Sequence, residues 1–279
     1  MQRSNLYIIV FMAVTAILVG GLLALAATGL KQKQTEAIEL ETKKQILSAV
    51  MTFEKGMNAK ALYDEHIEGV VVDIDGKRIE KDAEGNPIVA DKVNIAKEFK
   101  TEKTKRKFPV FIYKKDGKNG KPDAYILPTF GNGLWNTISG YVAVSADLNT
   151  IYGATFAHVG ETPGLGARIS DKDIQERFKG KKIFDEKGTL MSVVMQKGEG
   201  NNYDSKPHEI DGMSGATITG KGLNDMLKNY FGYYEAYFRQ LKSDNKPADP
   251  TMNAAVDSLQ TSGADSLKVK MDSTSAKPQ

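Results

Sequence analysis

The 279-residue sequence contains no cysteine. Disulfides, thiolate nucleophiles, zinc-thiolate sites and cysteine-held iron–sulfur clusters are therefore excluded within this chain. Histidine is scarce as well. His66, His158 and His208 lie far apart and show no ligand spacing such as HExxH, which argues against a histidine-rich metal centre. Excess charge of either sign is also lacking. With 38 basic and 35 acidic residues the formal net charge is +3, so nothing electrostatic points to nucleic acid as a partner. Two glycine signatures of nucleotide folds are missing, the Walker loop and a strand-to-helix GxGxxG with a downstream acid. No internal repeat stands out.

What is present begins with "LYIIVFMAVTAILVGGLLALAATGL", an uncharged run over residues 6 to 30. It exceeds the ~20 residues needed to cross a bilayer core. The apolar part of a signal peptide is shorter, ~7–15 residues, so residues 1–30 read as a retained anchor, although "ALAA" keeps the cleaved alternative open. Arg3 on one side and Lys31 and Lys33 on the other give no clean orientation by charge. From residue 31 the chain is water-soluble in pattern, so the expectation is a single span with one external domain. Residues 31–54 are helical in propensity, with Ile38, Ile46, Ala49, Val50 and Phe53 at spacings near three and four, as in a stalk or first domain helix. The segment 244–279 is rich in Ser, Asp, Lys, Ala, Thr and Pro, has no aromatic residue, and is expected to be a disordered tail.

The body between alternates strand-like runs with turns. "GVVVDIDGKRI" reads as a hairpin about Asp75-Gly76, and "FPVFIYKKDGKNGKPDAYILPTFG" repeats the arrangement with 114–122 as the loop. "SGYVAVSADLNTIYGATFAH" gives two strands joined near Asp147 to Thr150, "TLMSVVMQKG" a further strand, and "KDIQERFKGK" a short helix. An amphipathic helix is expected from about Gly222 onward. Strands followed by a terminal helix, without regular strand–helix alternation, predict an α+β domain with a largely antiparallel sheet and flanking helices. The expected division is an anchor at 1–30, the first part of the soluble domain at 31–130, a ligand-carrying part at 131–243 and the tail.

Three glycine-rich stretches interrupt this body: "GNGLWNTISG" (131–140), "HVGETPGLGARI" (158–169) and "DGMSGATITG" (211–220). Glycine permits positive φ and close approach of backbone to a ligand, but turns alone would account for any one of the three. Their contents point further. Trp135, the only tryptophan, sits in the first and can serve as core or flank a planar ligand. In the second, Glu161 and Thr162 stand beside a Pro-Gly turn able to aim main-chain N–H groups at a polar ring edge. Arg168 follows, either as charge for a phosphate or as a solvated surface residue. The third places Ser214, Thr217 and Thr219 ahead of a helix, where one hydroxyl suffices as N-cap and where a phosphate would meet unpaired N–H groups.

Taken together, "GNGLWNTISGYVAV", "GETPGLGARI" and "DGMSGATITG" resemble the motifs of the FMN-binding domain carried by the C subunit of the sodium-translocating NADH:quinone reductase (Nqr). The G subunit of the Rnf electron-transport complex shares that domain, but the Gly-Leu-Trp-Asn run and the Gly-Glu-Thr-Pro form look more like the former. The resemblance extends over roughly residues 1–243. It implies FMN attached covalently through its phosphate to Thr217, the threonine that ends Ser214-Gly215-Ala216-Thr217, by an external flavin transferase. It casts Asp211 as part of the transferase's recognition motif, sets Trp135, Thr162, Leu165 and Gly166 against the flavin, and leaves Ser214 or Thr219 to cap or hydrogen-bond. Val159 stands where a polar residue is expected, so His158 receives no role. The resemblance further implies an electron-transfer component of an inner-membrane complex, with its soluble domain in the periplasm. Its partners would be the other membrane and flavoprotein subunits. The alternatives are an Rnf-type protein, or a membrane-anchored binding domain in which the three loops are only turns.

Overall fold

A computed structural model describes residues 5–54 and 56–244. The first helix, α1, spans Asn5–Ser48, and its apolar stretch is exposed throughout. Among the described residues it is the one helix long and apolar enough to cross a membrane. The anchor and the stalk form one continuous helix, because no proline interrupts 5–48. Only at its end does it enter the core, with Ile46 and Leu47 buried. Helix α2 (Ala59–His66) follows, capped by Asn58, whose side chain accepts from the N–H groups of Lys60 and Ala61.

Five strands form one antiparallel meander: β1 (Ile67–Val72), β2 (Phe108–Tyr113), β3 (Ala124–Asn132), β4 (Thr137–Ser145) and β5 (Ile151–His158), in spatial order β1-β2-β3-β4-β5. Helix α3 (Ile95–Lys100) lies in the β1–β2 connection, and α4 (Lys172–Glu176) follows β5. A two-residue parallel pair, β6 (Val194–Met195) with β7 (Glu209–Ile210), precedes the last helix, α5 (Thr217–Asp244). The fold is the expected α+β arrangement of an apolar N-terminal helix and an antiparallel sheet with helices. The compact unit ends at Phe238; of the remainder, only the closing residues of α5 are described, so the expected tail at 245–279 lies outside the described residues.

The sheet is covered on both faces, which is why every residue of β2 is buried. Phe111, Tyr113, Ile126 and Ala143 point one way, into a cluster with Ile46, Leu47 and Tyr63. Their sequence neighbours point the other way, as a period of two demands. On that face Phe108 meets Tyr234 edge to face, Tyr125 meets Tyr237, and the Tyr234 hydroxyl donates to Pro109 O at 2.8 Å. Helix α5 supplies Leu223, Met226, Leu227, Tyr230, Phe231, Tyr234, Tyr237 and Phe238, all buried, at spacings that put them on one stripe.

Three local expectations are corrected. The run 69–79 is not a full hairpin: β1 pairs with β2, and beyond Asp73–Gly76 only a bridge, Val72 to Arg78, remains. "TLMSVVMQKG" does not form one strand, because Ser192 takes a positive φ of 63° and breaks it, leaving Val194–Met195. Helix α5 begins at Thr217 rather than near Gly222. Gly220 and Gly222 sit inside it because they allow close packing, against Met195 and against the Asn132 carbonyl respectively.

Candidate functional site

The three glycine-rich stretches meet at one end of the sheet. The first is the β3–β4 hairpin: Asn132 pairs with Thr137, and Gly133 N–H donates to Asn136 O at 2.8 Å, which puts Trp135 at the tip. The second leaves β5 at His158 and turns through Gly164, whose φ is +73°, into a short 3-10 segment at Gly166–Ser170. The third runs into the first turn of α5.

One carboxylate joins all three. Glu161 is 4% exposed, accepts from Trp135 N–H at 3.0 Å, and accepts from the Thr219 hydroxyl at 2.5 Å. A Cβ on Gly133 would strike Glu161 Oε1, and one on Gly166 would strike Thr219 Oγ1, so both glycines are needed for the approach. Burial pushes the Glu161 carboxyl up, but the Thr219 hydroxyl and the N–H groups of Trp135, Asn136 and Leu134 hold it below its ordinary value overall. It is therefore ionised at neutral pH and acts as an acceptor only. Its own N–H donates to His158 Nδ1 at 3.3 Å, which makes His158 a prop of the turn.

Around this node the remaining residues sort into exposed and committed groups. Trp135 is 70% exposed, and its indole Nε1–H donates to Thr162 Oγ1 at 3.1 Å. Leu165 is 41% exposed beside Gly215, where an added Cβ would lie 2.8 Å from Leu165 Cδ2. Gly215 takes φ of +71°. Ser214 and Gly215 are exposed, Ala216 is buried, and Thr217 is exposed as the first residue of α5. Thr219 is buried in the first turn, so it is not an N-cap, and its hydroxyl is already given to Glu161.

A second polar cluster seats the loop ahead of Thr217. Arg168 is not a solvated surface arginine: it makes a two-pronged pair with Glu199, at 2.8 and 2.7 Å. Arg177 joins from the other side, 3.0 Å from Glu199 and 2.5 Å from Gly212 O. The other Glu199 oxygen accepts Ser214 N–H at 3.1 Å. Asp211 accepts from the N–H groups of Gly200 and Asn201 at 2.7 and 3.2 Å, with Arg177 3.6 Å away. Burial raises the Asp211 carboxyl, but these neighbours bring it below its usual value. Its side chain is 16% exposed, so it builds the loop. Sequence reading missed Glu199 and Arg177, since neither lies in a glycine-rich motif and their partners are distant in sequence.

This cluster is expected to make stability fall in acid. The two arginines, Arg168 foremost, and Ser214 N–H hold the Glu199 carboxyl far below the carboxylate range. A depressed folded-state pKa stabilises above the unfolded value of 4.5, and that contribution is lost as pH falls below it. Urea unfolding at neutral pH and at pH about 3 should show a smaller difference for Glu199→Gln than for the parent chain. An equal difference would remove Glu199 from the cause.

The geometry fits a flavin mononucleotide. An exposed hydroxyl at the start of a 28-residue helix, with no acidic residue in its first turn, suits a phosphate. The exposed indole of Trp135 and the side chain of Leu165 suit a planar ring, and Gly215 leaves the backbone open to approach. A membrane-anchored flavin-domain protein is the class that fold and site define. In agreement, residues 133–231 match the FMN-binding domain family.

Relatives that match over more of the chain narrow this. The C subunit of the Na(+)-translocating NADH-quinone reductase from Pseudomonas aeruginosa is 32% identical over 258 residues, 86% of this chain and 95% of that protein. The Neisseria meningitidis serogroup A protein of the same name is 34% identical over 229 residues, 78% of this chain and 87% of that one. The crystal structure of the Parabacteroides distasonis homologue of that name superposes with a TM-score of 0.63 at 34% identity, covering 75% of this chain and 96% of that one. The Shewanella oneidensis NqrC structure gives 0.61 at 29% identity, over 74% of this chain and 98% of that one. The chain belongs to the NqrC family, the C subunits of Na(+)-translocating NADH-quinone reductases.

Proposed function

We propose that this chain is the electron-relaying C subunit of a sodium-translocating NADH:quinone oxidoreductase, with FMN held as a phosphoester on Thr217. The observation behind this reading is the meeting of three motif loops, which leaves Thr217 exposed at the start of α5, two residues from Gly215 against Leu165 and two from Thr219, which Glu161 links to the exposed Trp135. The residues at 131–243 are the flavin-carrying part. When bound, FMN supplies one- and two-electron chemistry, while the protein supplies position and electrostatics.

Thr217 receives the flavin from FAD through an external transferase. Thr217 Oγ1 would hold the flavin phosphate as an ester, AMP would be the group left over from FAD, and the hydroxyl proton would have to go to a base of the transferase. A threonine hydroxyl is a weak nucleophile without such a base. Among the described residues the nearby carboxylates are already committed: Asp211 to Gly200 and Asn201, and Glu161 to Trp135 and Thr219. Ser214, Gly215 and Ala216 shape the loop, and the positive end of α5 would favour a phosphate held on Thr217. Thr162 orients the Trp135 indole, Leu165 lies against Gly215, and Gly166 leaves room for Thr219 and Glu161.

The uncharged part of α1 anchors the chain once in the inner membrane, with the soluble domain in the periplasm and the other subunits of the complex as partners. Membrane vesicles from a strain lacking the chain test this reading. Sodium-stimulated quinone reduction by NADH should be lost, return with the parent chain, and stay absent with Thr217→Val. A loss of ferredoxin-linked NAD reduction instead would assign the chain to an Rnf-type complex.

A further inference from the structure

Glu161 stands between the two ends of the site. Toward the attachment point it takes the hydroxyl of Thr219, two residues after Thr217 on the same helical turn. Toward the ring it takes the backbone N–H of Trp135, and the adjacent Thr162 holds the indole N–H of that same residue. Gly133 and Gly166 lack side chains at the two places where a Cβ would displace the carboxylate or its partner. A carboxylate, being acceptor-only, can serve both donors at once, whereas an amide in its place would turn an N–H toward one of them. The helix start and the hairpin tip are far apart in sequence; Gly222 packs the helix on the base of the hairpin at Asn132 and Gly133, and Glu161 adds a side-chain link at Trp135, nearer the tip.

We propose that Glu161, acting through Thr219 on one side and through Trp135 and Thr162 on the other, is a positioning residue that sets the indole of Trp135 relative to the attachment threonine. Both of its carboxylate oxygens are taken, one by the Trp135 N–H and one by the Thr219 hydroxyl. Its effect is to couple the tether end to the ring end, so that a flavin held at Thr217 meets an indole already in place. A site held by its surroundings to a fraction of an ångström needs such a second set of contacts. This inference rests on the reading of Thr217 as the flavin carrier, but the clamp itself exists without flavin and is measured without it.

Trp135 is the sole tryptophan of the chain, so its emission reports the clamp directly. The full chain in detergent, prepared without a flavin transferase, is compared with Thr219→Val, Thr219→Ser and Thr162→Val by Trp135 fluorescence anisotropy. Thr219→Val removes the hydroxyl with little change of volume and should lower the anisotropy, while Thr219→Ser keeps the donor and should restore it. Thr162→Val, at an exposed residue, should lower it too. The same proteins made with the transferase and selected by mass for one bound flavin give the second readout. Flavin should quench Trp135 emission in the parent and in Thr219→Ser, and the quenching should be partly lost in Thr219→Val and Thr162→Val. Parental anisotropy and quenching in Thr219→Val, with parental circular dichroism, would overturn the proposal. If Thr219→Val does not fold, Thr162→Val decides, and parental values there would overturn it equally. Should the parent chain take up no flavin, the function proposed above fails, while the anisotropy arm still decides the clamp.

Discussion

Thr217→Val is expected to reduce the covalent flavin content of the full chain, made beside an active flavin transferase, to background. The change removes one oxygen, keeps the β-branched shape, and lies at an exposed position at the start of α5. Surface substitutions of this kind usually alter stability by within ~0.5 kcal/mol, so the loss would not come from unfolding. Valine has no atom able to form a phosphoester, so the expected effect is all or none. Ser214→Ala should retain flavin, since the contact of Ser214 to Glu199 is made by its backbone N–H. In-gel flavin fluorescence measures both. Retained fluorescence in Thr217→Val would move the attachment elsewhere.

The second large effect is on stability. Gly222→Val should lower it by about 3 kcal/mol, the upper part of the range for overpacking a fixed site. A Cβ at Gly222 would strike the carbonyl oxygen of Asn132 and lie 3.3 Å from Gly133 Cα. Both are backbone of the β3–β4 hairpin, which cannot swing aside as a side chain would. Helix propensity works the other way, because glycine costs ~1 kcal/mol against alanine in a helix interior, but the collision outweighs it. Gly232 in the same helix isolates the propensity effect. Its nearest added contact would be Leu190 Cδ2 at 3.8 Å, an ordinary separation. Gly232→Ala should therefore raise stability by up to ~1 kcal/mol. Thermal unfolding of the full chain tests the pair, and shifts of the same sign would contradict the assignment of Gly222 to close packing.

Much of the fold is legible in the sequence for simple reasons. The 25-residue uncharged run is long enough to span a bilayer, and the runs at 108–113, 124–132, 137–145 and 151–158 read as strands because they are short, rich in β-branched and aromatic residues, and bounded by turn residues. What misled was glycine. In "ATITGKG" Gly220 and Gly222 look like helix breakers, yet both are helical and serve contacts with Met195 and the hairpin that no local pattern reveals. Ser192 is the converse, an ordinary residue in a strand-like run whose positive φ ends the strand.

The site was legible as three loops but not as one assembly. The family resemblance singled out Trp135, Thr162, Leu165, Gly166 and Thr217, and all lie at the same end of the sheet. Sequence could not decide between cap and ligand for Thr219, because its partner Glu161 lies 58 residues away and only the folded chain brings the pair to 2.5 Å. Glu199 and Arg177 were invisible for the same reason: their contacts span 15 to 35 residues, and each residue alone reads as a solvated charge.

Central to the proposed function is that the flavin is carried by Thr217 and by no neighbouring hydroxyl. The most direct test is tandem mass spectrometry of the tryptic peptide 198–221, from the full chain made with an active flavin transferase. That peptide holds Ser205, Ser214, Thr217 and Thr219 together. The expected result is a gain of one FMN less one water, with fragment ions that place it on Thr217. A gain placed on Ser214 or Thr219, or an unmodified peptide from a chain exposed to transferase shown active on another substrate, would contradict it.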